Sequence, residues 1–177
     1  MQKSSMIPVA LRTIAVIGLF VAIGAGTTAI PVSFQLLGNT MTFEVTASQT
    51  RGASVTFDEE VPPGGGPPAH IHTREDETYV VTQGYFRFWR GTQTINARPG
   101  AVVFLPRNVP HQFVNAGTTP GRLVVTIMPA GLERMFLTIS DRGLSVPKDR
   151  SEIVRLGSAY GITYVAPLAP TNVNVRH

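Results

Sequence analysis

The chain has 177 residues, enough for one domain with its own hydrophobic core. Hydrophobic residues make up 43% of it and charged residues only 15%, which excludes a disordered, highly charged chain. The net charge is +4 without any run of Lys or Arg, so the basic footprint of a nucleic-acid-binding protein is absent. Because the chain contains no cysteine, any bound metal must be held by His, carboxylate or carbonyl groups.

The N-terminal segment has the features of an export signal. Lys3 and Arg12 precede an apolar stretch over 13–25, and the small residues of 26–29 follow it. A basic start, an apolar middle and a small-residue end are typical of a secretory signal peptide. We therefore predict that residues 1–29 direct export to the periplasm or the medium and are removed. An uncleaved membrane anchor and a buried core helix are the alternatives.

From Phe34 onward the hydrophobic pattern mostly alternates, which predicts strands with one buried face. Gly, Pro and Asn separate these segments, and the Pro- and Gly-rich stretch 61–68 predicts a rigid, non-helical loop. Short strands at this spacing indicate an all-β sandwich or barrel. The predicted strands are 42–46, 53–57, 79–82, 85–90, 94–97, 102–105, 112–115 and 122–128.

The pattern changes to helical spacing after Pro129. Leu132, Met135 and Phe136 recur on one face, and the stretch 149–160 has the same spacing. We predict two short helices packed outside the barrel, followed by a loose tail.

Three of the four histidines lie in the middle of the strand region. His70 and His72 are two residues apart, so both rings face the same side of an extended segment. Glu77 follows beyond a predicted turn or bulge at 73–76, and His111 lies on a different strand. Three imidazoles and one carboxylate that converge inside a barrel suit one divalent transition metal, namely Fe, Mn, Ni, Cu, Co or Zn. They do not suit Mg²⁺ or Ca²⁺, which prefer mainly oxygen ligands.

The spacing of these residues resembles the two sequence motifs of the cupin superfamily. The first motif runs through Gly64, His70, His72, Glu77 and Gly84 with every gap of the family pattern. The second motif runs through Gly100, Pro106, Asn108, His111 and Asn115. Asn108 replaces the usual Gly, and we expect a positive φ there, which Asn tolerates.

The resemblance implies a fold and a division of the chain. The fold is a cupin β-barrel, that is, a double-stranded β-helix or jelly roll, with short C-terminal helices. We assign 1–29 to the signal peptide or anchor, 36–130 to the barrel, 131–166 to the helical extension and 167–177 to the tail.

Further segments look like single-domain cupins of the quercetin-dioxygenase-like group, namely 37–40, 62–68, 74–77 and 129–133. This resemblance implies a flavonol-like substrate, dioxygen and one divalent metal. In that group the Glu ligand can also deprotonate a flavonol hydroxyl, which gives Glu77 a possible catalytic role. Its neighbours Glu75 and Asp76 lie in the preceding turn and are expected to be dispensable.

Side chains with the same parity as the metal ligands are expected to line a cavity. These are Tyr79, Val81, Phe113 and Asn115. An apolar, aromatic cavity beside an open metal position fits a hydrophobic organic substrate. In the alternative interpretation, Tyr79 and Phe113 belong to the barrel core, and Asn115 binds a loop or strand backbone.

The leading functional hypothesis is a metal-dependent dioxygenase that acts on a flavonol-like or other enolisable aromatic substrate. The alternatives are a non-catalytic ligand- or metal-binding cupin, a small-acid oxidase or decarboxylase, and an isomerase. A small-acid enzyme would need cations inside the barrel, and the sequence leaves the facing of Arg87 and Arg90 open. We expect a homodimer, since cupin barrels commonly pair and an N-terminal strand can extend a partner's sheet.

Overall fold

The computed structural model describes residues 32–168 of the chain. The predicted signal segment and residues 169–177 of the predicted tail lie outside them. Between residues 32 and 168, no helix is long and apolar enough to cross a membrane.

The described part of the chain is mostly β-structure, as the alternating pattern predicts. In chain order its elements are β1 (Ser33–Leu36), β2 (Asn39–Val45), β3 (Val55–Val61), β4 (His70–His72), β5 (Asp76–Gln83), β6 (Phe86–Arg90), β7 (Gln93–Ala97), β8 (Val102–Leu105), β9 (His111–Asn115), β10 (Gly121–Met128), α1 (Glu133–Asp141), α2 (Arg150–Ala159) and β11 (Ile162–Tyr164).

The strands form two antiparallel sheets that face each other. One sheet has the order β1-β2-β3-β10-β5-β8, and the other has the order β11-β4-β9-β6-β7. Neighbours that are distant in sequence, such as β3 and β10, pair over seven residues. This arrangement confirms the predicted all-β jelly-roll barrel.

The core lies between the two sheets and is rich in aromatic rings. Phe113 on β9 packs against Tyr79 on the facing sheet and against Phe88 on β6, each with ring centroids 5.4 Å apart. All three side chains are at least 96% buried. Aromatic contacts thus join the two sheets directly beneath the segments that carry the histidines.

The structure lengthens several predicted strands and adds three that were not predicted, β1, β4 and β11. The predicted strand 53–57 continues as β3 to Val61, because the alternation of buried and exposed residues continues to that point. The additional strands β4 and β11 have three residues each and pair with each other. Three residues are too few for alternation to identify a strand.

The C-terminal region also differs from its prediction. The two helices form where helical spacing indicates them, but they contribute Met135, Ile139 and Ile153 to the main hydrophobic core. The chain then returns as β11, which lies beside β4 at the edge of the second sheet. The region assigned to a helical extension therefore also completes the barrel.

The loop between β3 and β4 gives a test of the fold. Gly66 has φ +142°, and a Cβ atom there would collide with the carbonyl oxygen of Phe113. Gly64 has φ +73° with open space around it. We expect Gly66→Ala to lower the free energy of unfolding by ~3 kcal/mol, since backbone must move, and the matched control Gly64→Ala by ~1 kcal/mol. Urea unfolding of both variants measures this difference, and equal losses would contradict the close approach of the loop to β9.

Candidate metal centre

The four predicted metal ligands come from both sheets. His70 and His72 are the first and last residues of β4, and both are buried while Ile71 between them is not. His111 begins β9 and is the direct partner of His70 in the sheet. Glu77 lies on β5 in the facing sheet. Strand parity and the packing of the two sheets therefore bring the four side chains together.

Backbone contacts fix the turn that precedes His111. The amide of Asn108 donates a hydrogen bond to the carbonyl of His72 over 2.7 Å, which ties this turn to the end of β4. Asn108 has φ +64°, which confirms the expectation that this position needs the left-handed region. The substitution of Asn for the usual Gly is thus accommodated.

Hydrogen bonds to the backbone orient two of the three imidazoles. Nδ1 of His70 donates to the carbonyl of Pro68 over 2.7 Å, and Nδ1 of His111 donates to the carbonyl of Val109 over 2.9 Å. A neutral ring that carries its proton on Nδ1 has a lone pair on Nε2. The Nε2 lone pairs of both rings are therefore free to bind a cation.

The ligand atoms converge in a buried space beside the cavity. Nε2 of His70 lies 2.8 Å from Nε2 of His72, and Nε2 of His111 lies 3.3 Å from Oε2 of Glu77. All four ligand atoms lie within 4.8 Å of one another, and the four side chains are buried. Nε2 of His111 has no hydrogen-bond partner. Because lone pairs and a carboxylate repel one another when they are buried without protons, this cluster suits a divalent metal ion.

At His70 and Glu77 the electrostatics of the cluster favour the protonation states that metal binding requires, whereas at His72 burial is outweighed by Glu77 and Glu75, which raise its pKa. Burial, together with His111 and His72, lowers the pKa of His70 to about 3, so its ring is neutral at physiological pH. Burial alone would raise the pKa of Glu77, but the neighbouring His72 and His111 outweigh it and lower that pKa to about 2. The cluster therefore combines a neutral imidazole with an ionised carboxylate.

Glu75 does not behave as the dispensable turn residue that the sequence predicts. Its side chain is buried, with 5% exposure, and its Oε2 lies 3.5 Å from Nδ1 of His72. A carboxylate behind a metal-binding imidazole holds the ring with its other nitrogen towards the metal. Glu75 is therefore placed to position the His72 ring, and its burial differs from the exposed turn residue that the sequence suggests.

A cavity of about 550 Å³ opens beside the metal ligands. Of the four predicted lining residues, Tyr79 and Phe113 line it, whereas Val81 and Asn115 do not. Val81 is buried in the core, one row further from the ligands. Asn115 instead donates to the carbonyls of Val61 and Thr119, which confirms the alternative interpretation of that residue.

Tyr79 has a polar contact with the metal cluster. Its hydroxyl donates a hydrogen bond to Oε2 of Glu77 over 3.0 Å. Burial and the nearby carboxylates raise the pKa of Tyr79 well above its usual value, so the phenol keeps its proton. Tyr79 can therefore orient one oxygen of Glu77 within the cavity.

Sequence reasoning missed two sets of lining residues. The first is the pair Asn39 and Glu59, and Glu59 shares the inward parity of its neighbours Phe57 and Val61. That parity was a usable signal, but the predicted strand ended at Phe57. The second set comes from α1, α2, β11 and their connections, and no local pattern places them at the cavity: Met135, Phe136, Ile139, Val146, Ile153, Tyr164.

The three imidazoles and Glu77 are expected to act as one metal site. His72→Ala and His111→Ala should each abolish binding of an equimolar divalent metal, because each removes a ligand from a buried cluster. Glu60→Gln, which changes a solvent-facing carboxylate on β3, should bind metal normally. Metal content after gel filtration measures this, and full retention by both histidine variants would disprove the site. Both should still fold, since the barrel has its own core.

Substitutions of Glu75 and of its neighbour Asp76 provide a test of the positioning role and its control. Glu75→Gln should weaken metal affinity by ~10–100-fold, since the His72 ring loses its orienting carboxylate. Asp76→Asn breaks a partly exposed ion pair with Arg107, so it should change affinity by less than about threefold. Competition titration with a chelator distinguishes the two variants, and equal affinities would contradict the positioning role.

The buried carboxyl of Glu59 should make stability depend on pH. Burial raises its pKa from 4.5 to about 7, against the hydrogen bond from Asn39 and with smaller effects of Glu77 and Asp58. The folded state therefore holds a proton that the unfolded chain releases, and stability falls as pH rises from 4.5 to 7.

The wild type should lose up to about 3 kcal/mol of its free energy of unfolding through Glu59 as pH rises, and Glu59→Gln should not. The stability of the variant relative to the wild type should therefore increase between pH 5 and pH 8. Glu60→Gln is the exposed control and should show no such gain. Urea unfolding of zinc-saturated proteins measures both differences. A Glu59→Gln difference that is flat with pH would contradict the raised pKa.

The sequence of this barrel matches known proteins in the same region. The family model described as "Cupin domain" matches residues 57–127. A quercetin 2,3-dioxygenase of Bacillus subtilis (strain 168) is 26% identical over 109 residues, which are 60% of this chain and 32% of that protein. The chain thus spans about a third of the length of this relative.

Solved structures share the fold at low sequence identity. A predicted oxalate decarboxylase from Thermotoga maritima is 20% identical with a TM-score of 0.51, covering 56% of this chain and 92% of that chain. Pac13, a nucleoside dehydratase, is 15% identical with a TM-score of 0.50, covering 78% and 88% of the two chains. The matched family segment contains all four candidate metal ligands, so the assignment rests on the site as well as on the fold. Residues 57–127 therefore form a cupin domain, and this part of the chain belongs to the cupin superfamily.

Proposed function

We propose that this chain is a metal-dependent dioxygenase that acts on a flavonol-like or other enolisable aromatic substrate. The observation that carries the proposal is the placement of Glu77, a buried metal-ligand carboxylate, on the wall of a largely apolar cavity of about 550 Å³. A cavity of this size fits a drug-sized organic molecule. The similarity to a quercetin 2,3-dioxygenase supports the same reaction class.

The residues of the site have separable roles in this proposal. A bound divalent metal would supply a Lewis acid that lowers the pKa of an enolic hydroxyl. Glu77 accepts the proton of that hydroxyl, and Tyr79 holds the second carboxylate oxygen in place by its 3.0 Å hydrogen bond. Dioxygen is the oxidant, and both of its atoms enter the product, so no external reductant is needed.

The apolar walls of the cavity serve the same chemistry. Phe113, Val125 and Ile127 line it next to the ligands, and Met135 and Ile139 cover it from α1. These side chains exclude water, which strengthens electrostatic interactions at the reacting end of the substrate. Aromatic rings of the substrate can pack against the same surface.

Charge inside the barrel disfavours a small-acid oxidase or decarboxylase. Arg87 and Arg90 bind Asn96, Gln93 and the carbonyl of Phe104, and neither arginine lines the cavity. Of the cations in the described part of the chain, Arg150 lines the cavity, and it is exposed. The interior instead contains a second carboxyl group, Glu59. A dicarboxylate would therefore meet like charge inside the barrel.

Export and assembly belong to the same proposal. The N-terminal pattern supports export of the chain, with either cleavage or retention as an anchor. The exposed edge of β1 supports association with a second copy by sheet extension. Both stay predictions from the sequence.

The role of Glu77 as a base distinguishes catalysis from metal binding alone. Metal-saturated Glu77→Gln should turn over ~10²–10⁴-fold more slowly than the wild type, because an amide does not accept the substrate proton. Oxygen uptake with a panel of flavonols measures the rate, with metal content determined in the same samples. Glu60→Gln is the control and should keep full activity.

Two outcomes would contradict this proposal in different ways. Full activity of metal-saturated Glu77→Gln would leave Glu77 as a ligand and remove its role as a base. No oxygen uptake by the metal-saturated wild type with any enolisable substrate of the panel would remove the dioxygenase assignment.

A further inference from the structure

A second polar group lies on the cavity wall, away from the metal ligands. Glu59 on β3 has only 6% of its surface exposed, and its Oε1 accepts a 2.7 Å hydrogen bond from Nδ2 of Asn39 on β2. Asn39 is 8% exposed, and both residues line the same cavity as the metal ligands. The family motifs quoted for the metal site do not include either residue.

This pair is not explained by the packing of the barrel. The direct neighbours of Glu59 in its sheet are Met41 and Leu123, which are both buried and apolar. An apolar residue would fill the position of Glu59 without the cost of burying a carboxyl group. The pair therefore needs another reason to be in the wall.

The hydrogen bonding of the pair is incomplete on the side of the cavity. Among residues 32–168, Oε2 of Glu59 and Oδ1 of Asn39 have no side-chain or backbone donor. When the Glu59 carboxyl is ionised, above its pKa of about 7, both atoms are acceptors, so the pair then presents acceptors to whatever occupies the cavity. Buried polar atoms in folded proteins are normally hydrogen-bonded, and the missing donor must come from water or from a ligand.

We propose that Glu59 and Asn39 form a substrate subsite that binds a hydroxyl group remote from the metal-bound end of the substrate. With Glu59 ionised, two adjacent acceptors select a donor over ether, carbonyl and halide groups at this position. The apolar neighbours Met41 and Leu123 favour a neutral hydroxyl on a ring over a fully charged ammonium group, whose desolvation costs more.

The subsite and the metal ligands are positioned to act on one molecule. Both line one cavity of about 550 Å³, with Tyr79, Phe113 and Val125 also in its lining. A molecule of two or three rings fits such a volume and can contact both polar regions at once. The orientation of the substrate, with its other end at the metal, rests on the proposed function. The existence of the subsite does not depend on that function.

Two fluorinated probes test the subsite without any turnover. 4-Fluorophenol has a hydroxyl donor, whereas 4-fluoroanisole has a similar ring and only an acceptor. Fluorine NMR titration of the zinc-saturated protein at pH 8 gives the dissociation constant of each probe. The preference for the phenol is the ratio of these two constants.

Glu59→Gln is the main variant because it keeps the size of the side chain. Its oxygen accepts from Asn39, so the atom that faces the cavity becomes an NH₂ donor. The preference for the phenol should fall by about 5–10-fold relative to the wild type. Glu60→Gln, which makes the same change at the neighbouring solvent-facing carboxylate, should leave the preference unchanged.

Several results would overturn the subsite. These are an unchanged preference in Glu59→Gln, an equal loss in Glu60→Gln, and no detectable binding of 4-fluorophenol to the wild type. If the phenol binds to zinc instead of to Glu59, Glu59→Gln leaves the preference unchanged, which is the first of these results. A chain that binds the phenol through Glu59 but consumes no oxygen with flavonols loses the proposed function and keeps the subsite.

Discussion

The burial of unprotonated ligand atoms is the constraint on which the rest of this structure depends. Nε2 atoms of His70 and His72 lie 2.8 Å apart, and Glu77 completes the cluster from the facing sheet. Such a cluster is costly to bury without a cation, and the backbone hydrogen bonds to the imidazoles hold it in that arrangement. The fold must therefore keep β4, β5 and β9 in a fixed relation.

The pKa values of two carboxyl groups in one cavity are shifted in opposite directions. Glu77 lies among imidazoles that outweigh its burial and lower its pKa to about 2. Glu59 lies among apolar side chains, and burial raises its pKa to about 7. The same barrel interior thus holds an ionised ligand and a carboxyl group that titrates near neutral pH, and this difference follows from their neighbours alone.

The C-terminal region belongs to the site, although it lies far from the ligands in sequence. β11 pairs with β4, and the amide of Thr73 donates to the carbonyl of Gly161 next to the histidine strand. The ring of Tyr164 lies 6.3 Å from that of His70. With Met135 and Ile153 covering the cavity from the helices, this region determines which shapes the cavity admits.

The sequence by itself determined the fold class and the metal ligands. Alternation and the parity of His70 and His72 are local properties, whereas the jelly-roll barrel and the positive φ of Asn108 followed from the resemblance of the two motifs to the cupin pattern. Only the tertiary structure decided the roles of Glu59, Glu75 and β11. A carboxyl group is identified as buried only by what packs against it, and a three-residue strand exists only because β4 offers it a partner.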